Sequence, residues 1–223
     1  MTGKKLIVMC GLRRSGNHYL RDWIEYQFPK PTHNMYNYGL DFYLGTLKGY
    51  QTEKVNCRVV SIEEYPPQAV LVPDKYGHDE IKRIVLLRDP YNLFASRMKW
   101  YTHDDDRYFN PKFITYLWVD YAKFVLSKPE NVIIVLYNKF FSDAGYRREL
   151  SDKLDGRFDD TPINFINSKS GGSSFDGTAF LGSAQNMKVL ERWKVYKNNK
   201  NYRSLFTDEI KDLSNQIFGF NPL

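Results

Sequence analysis

Cysteine is almost absent, with only Cys10 and Cys57 in 223 residues. Both lie in apolar runs with no clustered spacing, which argues against a disulfide framework or a zinc module and points to a reducing compartment. No apolar stretch approaches the ~20 residues that a membrane helix needs. The first apolar run, residues 6–12, stops at Arg13-Arg14 with no cleavage-site pattern. A soluble, cytoplasmic chain without a membrane partner is therefore expected. Long Lys/Arg runs are also missing, which argues against nucleic acid as a partner. No internal repeat is visible, and the low-complexity patch 168–174 (SKSGGSS) is too short for an inter-domain linker.

What is present fits one folded domain over residues 1–223. Hydrophobic residues make up 42% and aromatics 16%, enough to build a core rather than a disordered chain. An excess of 32 basic over 26 acidic residues, net +6, favours an anionic ligand. Runs at 6–10, 57–62, 84–87 and 132–136 are rich in Val, Ile and Leu, as parallel strands buried on both faces are. Helical patterns lie between them. Leu20, Trp23, Ile24 and Phe28 share one face, as do Phe113, Leu117, Tyr121 and Phe124. A C-terminal helical pair is predicted over 186–197 and 203–218. The alternation gives an α/β class: a three-layer, P-loop-like fold whose central parallel sheet of four or five strands is flanked by helices. Ligands of such sheets bind beyond the carboxyl ends of the strands.

The first strand runs into Gly11-Leu12-Arg13-Arg14-Ser15-Gly16-Asn17-His18, and a helix follows. Glycines permit a tight turn whose amides, with the helix N-terminus, cradle an anion. Gly11 and Gly16 have P-loop spacing, but Asn17 and His18 replace the Lys-Ser/Thr that holds a nucleoside triphosphate and Mg²⁺. The cations sit inside the loop instead, as Arg13 and Arg14. This suits a phosphosulfate handled without a metal.

The segment resembles the 5′-phosphosulfate loop of sulfotransferases that use 3′-phosphoadenosine 5′-phosphosulfate (PAPS). Arg14, Ser15 and Gly16 match that pattern. Arg13 takes the place of its Pro, and Asn17 and His18 take the place of its threonines. Tyr19 falls where the family often has an adenine-stacking Trp, although a first-turn core aromatic reads equally well. The 84–87 strand ends in Arg88-Asp89-Pro90, where Asp89 suits an N-cap and Pro90 a first helical residue. Arg88 and Ser96 then have the eight-residue spacing of the family's 3′-phosphate motif. The resemblance further implies Tyr137 near the adenine. More loosely, it implies Arg192, Trp193 and Lys194 as part of a late segment that closes over the nucleotide.

On this resemblance the chain is a small, divergent PAPS-dependent sulfotransferase, with PAPS as donor and no metal expected. The acceptor would be a hydroxyl or amine of a small molecule or carbohydrate. Arg14 is expected to act on the phosphosulfate. Glu64 is the expected base, because it lies where similar enzymes carry a His after the second strand. Glu63 and His18 remain rivals for that role. His33 and His103 read as loop residues, and Asp104-Asp105-Asp106 as a solvated turn rather than a cation site. The aromatic-rich segments 35–43 and 100–109 would suit a ring or sugar. Two other readings stay open: a P-loop nucleotide or small-molecule kinase, and a nucleotide-binding relative without catalysis.

Overall fold

The computed structural model describes residues 5–36, 55–71, 73, 77–101, 110–165, 173 and 175–223. Strands β1 (Lys5–Gly11), β2 (Thr32–Tyr36), β3 (Cys57–Glu63), β4 (Glu80–Leu87) and β5 (Ile133–Leu136) form one sheet in the order β2-β3-β1-β4-β5. Every neighbouring pair is parallel, so each connection must cross a face of the sheet. The helices are α1 (Asn17–Tyr26), α2 (Pro90–Tyr101), α3 (Pro111–Leu126), α4 (Tyr137–Ser142), α5 (Ala144–Lys153), α6 (Trp193–Tyr196), α7 (Lys200–Arg203) and α8 (Asp208–Phe218).

Strand alternation sorts the core into two layers. Leu6, Val8 and Cys10 of β1 face one side with Val85 and Leu87 of β4. There they meet Leu93 and Phe94 of α2, Trp118 and Tyr121 of α3, and Ile210 of α8. Ile7, Met9, Ile84 and Leu86 face the other side and pack on Leu20, Trp23 and Ile24 of α1 with Phe140 of α4. Among the described residues no helix is long and apolar enough to cross a membrane. Cys10 and Cys57 are buried free thiols.

Four of the five strands were legible as apolar runs. The fifth, β2 (THNMY), sits at the sheet edge, where one-sided pairing does not require an apolar sequence. On α3 the buried face starts at Ile114 instead of Phe113, which is 45% exposed. The predicted helix over 186–197 is replaced by a 3₁₀ turn, Ala184–Asn186, and the single-turn α6. Its backbone is used otherwise, since Arg88 bonds the Val189 carbonyl and Asn92 the Leu190 carbonyl. The helix expected over 203–218 breaks before Thr207, which caps α8 by accepting from the Ile210 amide at 3.3 Å. Phe206, just before that cap, stacks on Tyr91 with ring centres 4.6 Å apart. Most of 35–43, 100–109 and 168–174 lies outside the described residues, and so do His103, Asp104 to Asp106 and the side chain of His33.

The ring of Phe140 is fully buried and meets Trp23 edge-on at 5.3 Å and Tyr19 at 5.9 Å. It closes the α1 side of the sheet. Phe140→Ala is expected to cost about 3–5 kcal/mol. The check is a fall in denaturant midpoint with an unchanged m-value.

Candidate active site

Strand order places β1 and β4 side by side, while their onward connections lead to opposite edges of the sheet. Such a switch point opens a crevice beyond the strand ends. The loop after β1 fills one lip. Its amide at Ser15 donates to the Leu12 carbonyl at 3.1 Å, and the buried Asn17 side chain donates to that same oxygen at 2.8 Å. Gly16 turns with φ +96°, where a Cβ would lie 2.1 Å from Cε2 of Tyr137. Glycine is therefore required twice here, by backbone hand and by the ring above it. Gly16 is also the N-cap of α1, with no capping side chain and no acid in the first turn, so the positive end of the helix faces the loop unneutralised. The buried Ser15 hydroxyl has no hydrogen-bond partner among the described residues.

The other lip is cationic. Arg88, at the end of β4, donates to the Arg14 carbonyl at 3.0 Å and to the Val189 carbonyl, while its guanidinium carbon lies 4.8 Å from the centre of the Tyr137 ring. Its own carbonyl accepts from Trp118 Nε1 at 3.0 Å. Arg192 reaches in from the C-terminal segment. It donates to Ser96 Oγ at 3.2 Å, to Ser173 Oγ, and to Asp176 at 3.3 Å. Burial pushes Arg192 down to about 10, and the charges of Arg88 and Arg14 add to that, against the opposing pull of Tyr137 and Asp176. It remains protonated at neutral pH. The Nε atoms of Arg88 and Arg192 are buried without a partner among the described residues. Arg192 thus lies among like charges from Arg88 and Arg14, a conflict that an anion would relieve.

Glu64 follows β3 in a left-handed conformation, φ +65°. Its carboxylate is paired with the fully buried Arg97, which reaches Oε2 from Nη1 at 3.3 Å and Oε1 from Nη2. Oε1 also accepts from the Arg13 amide at 2.8 Å, a donor that the Pro of the resembling pattern would lack. The carboxylate expected to act as base is thus engaged by a guanidinium and an amide. Glu63 is buried. His18 is half-buried, and its imidazole is pushed down to about 4 by burial first and then by Arg21 and Arg14, with Asp22 opposing. At neutral pH it is uncharged.

Of the remaining expected residues, Tyr137 covers the loop as described. The Tyr19 hydroxyl donates to the Ile163 carbonyl, and its ring lies among Phe140 and Phe141, so much of it serves the core. Trp193 packs edge-on against Phe220, and its amide donates to Asn92 Oδ1 at 3.3 Å. Lys194 pairs with Glu191 at 3.0 Å, and both side chains are about half exposed. On the α4 side an open cavity of about 490 Å³ is lined by residues that include Phe141, Ile163, Asn186 and Leu190, none of them from the loop after β1 or the arginine cluster. Residues missed from sequence are Arg97, Asp176 and Asn138; Asp89 caps α2 as expected, accepting from the Asn92 amide at 2.8 Å, and also accepts from Asn138 Nδ2 at 2.9 Å. The sequence signal for Arg97 was its place directly after Ser96; Asp176 and Asn138 left none.

No family model and no curated protein matches the sequence. Solved structures do match. The sulfotransferase domain of the Synechococcus PCC 7002 olefin synthase is 12% identical with a TM-score of 0.57, covering 98% of this chain and 96% of its own. The mouse sulfotransferase SULT7A1, solved in complex with PAP, is 14% identical with a TM-score of 0.53, covering 95% of this chain and 89% of its own.

Two outcomes test this geometry. Gly16→Ala combines a left-handed alanine with a clash against Tyr137, and is expected to cost about 2–4 kcal/mol by denaturant melts. The His18 effect has a definite sign. The folded chain resists protonating an imidazole whose ordinary value is 6.5 and which is lowered to about 4, so stability is full above that window and falls as pH drops through it. Melting temperature should therefore fall less between pH 6.5 and 4.5 in His18→Gln than in the wild type. A His18 resonance titrating near its ordinary value would contradict this.

Proposed function

The chain has a sulfotransferase-like fold, and from that premise we propose that it transfers the sulfuryl group of PAPS to a hydroxyl or amine acceptor. One observation carries the proposal: Arg14, Arg88 and Arg192 converge at the switch point of the sheet, beside buried donors left without partners. In this reading Arg14 and the amides of Ser15 to His18 hold the 5′-phosphosulfate end. Arg88, Ser96 and Arg192 hold the 3′-phosphate. Tyr137 and Tyr19 serve the nucleoside, Tyr137 from its place over Gly16 and beside Arg88. The PAP bound in SULT7A1 supports a donor of this chemistry.

In the reaction, the acceptor oxygen or nitrogen attacks sulfur while the bond from sulfur to the bridging phosphate oxygen breaks. The electron pair leaves with the 5′-phosphate of adenosine 3′,5′-bisphosphate (PAP), and the acceptor proton goes to a base or to water. Arg14 neutralises the charge that grows on that leaving oxygen, so alignment and fixed positive charge supply most of the catalysis. The arginines take the part that Mg²⁺ plays in phosphoryl transfer. A kinase reading is less well supported, because Asn17, in place of a P-loop Lys, is spent on the Leu12 carbonyl.

A second reading, a PAP or PAPS binder without transfer, draws on two observations. The Glu64 carboxylate is engaged by Arg97, and His18 is a weak base. Release of labelled sulfate from PAPS to a panel of phenols, amines and glycans separates the two readings.

The donor assignment is tested by calorimetry without Mg²⁺. PAP should bind at least about tenfold more tightly than adenosine 5′-monophosphate, and Arg88→Ala should remove most of that preference. Equal binding of the two nucleotides by the wild type would sink the 3′-phosphate assignment.

A further inference from the structure

The pair formed by Glu64 and Arg97 has features that a base does not need. Arg97 is fully buried on α2, yet it reaches across to the end of β3 for its counter-charge. A buried guanidinium without that partner would be strongly destabilised, so the pair is a constraint rather than an ornament. Glu64 accepts it from a left-handed backbone, which a non-glycine residue holds only when its surroundings compel it. The amide of Glu64 also points at the loop, towards the Gly11 carbonyl at 3.4 Å.

The carboxylate then passes the constraint on. Oε1 accepts from the Arg13 amide at 2.8 Å. The next residue, Arg14, is itself left-handed, φ +69°, and its carbonyl accepts from Arg88 at 3.0 Å. A continuous path thus runs from α2 through Arg97, Glu64 and Arg13 to the turn that carries Arg14. Ser96, the neighbour of Arg97 on the same helix, accepts from Arg192. One helix therefore braces both halves of the anion site.

We propose that Arg97, acting through Glu64 and the Arg13 amide, is a positioning residue that sets the phosphate loop for the 5′ end of the donor. The inference rests on the donor reading above and gives Glu64 a place in binding. Removing either partner leaves the sheet and the Arg88–Arg192 side in place but loosens the turn at residues 13–14. The loss should then appear in ligands that carry a 5′-phosphate and spare those that lack one.

The experiment compares PAP with adenosine 3′-monophosphate, by calorimetry, on the wild type, Glu64→Gln, Arg97→Met and Arg97→Lys. Glu64→Gln and Arg97→Met are expected to lose about tenfold or more in PAP affinity while adenosine 3′-monophosphate stays within about twofold. Arg97→Lys, which keeps the charge, should recover part of the loss. The double variant Arg97→Met with Glu64→Met leaves no unpaired buried charge, and keeps the comparison readable where a single variant does not fold. Unchanged PAP affinity in the variants, as expected if Glu64 serves only as a base, overturns the proposal and leaves the donor reading standing. Equal loss of both ligands in folded variants overturns it as well, since the effect would then be a general one. A wild type that binds neither ligand overturns the donor reading and, with it, this role for Arg97.

Discussion

Arg88 is a buried cation whose guanidinium bonds the carbonyl of Arg14 in the loop after β1 and that of Val189 in the C-terminal segment, while lying over the ring of Tyr137. Four stretches of chain, distant in sequence, meet on that one side chain. Tyr137 in turn roofs Gly16, whose left-handed turn starts α1. The loop, the strand ends and the late segment are therefore each tied to this side chain, while the loop has a second brace in Glu64 and Arg97. A side chain so fixed holds its charge in place before any ligand arrives, so little reorganisation remains when an anion binds.

Gathering positive charge at the strand ends is unfavourable in itself. The lowered value of Arg192, caused by burial and by Arg88 and Arg14, expresses that cost. Asp176 offsets part of it at 3.3 Å, and hydroxyl partners take up some of the donors. The buried donors left without partners among the described residues mark where a multivalent anion would relieve both problems at once. In the proposed donor reading, this is stability given up for a binding site.

The opposite arrangement holds around Glu64. There a charge pair is closed on itself, with Arg97 covering the carboxylate and the loop amide completing it. An isolated carboxylate at a strand end suits proton transfer; a carboxylate bound by guanidinium and amide suits the geometry of what it holds. With His18 kept neutral by its surroundings, the loop region handles charge mainly through arginine and backbone rather than through titration.

Sequence alone determined the layer architecture, because apolar runs of strand length and their alternation with amphipathic segments are set by period and burial, which are local. It also made legible the glycine-bearing turn after β1 and the Arg88–Ser96 spacing, since both motifs are contiguous and carry charge or glycine at fixed offsets. Strand β2 escaped, because an edge strand pairs through backbone and needs no apolar code. The C-terminal helix failed because tertiary donors, Arg88 and Asn92, took the carbonyls that a helix would have used. Partnership was the other thing sequence left open. Nothing local couples Glu64 to Arg97 across 33 positions, or Arg192 to Ser96 across 96. Only the parallel sheet, which brings the ends of β1, β3 and β4 side by side, decides which charges face each other, and so whether a carboxylate is free to take a proton or is held to shape a loop.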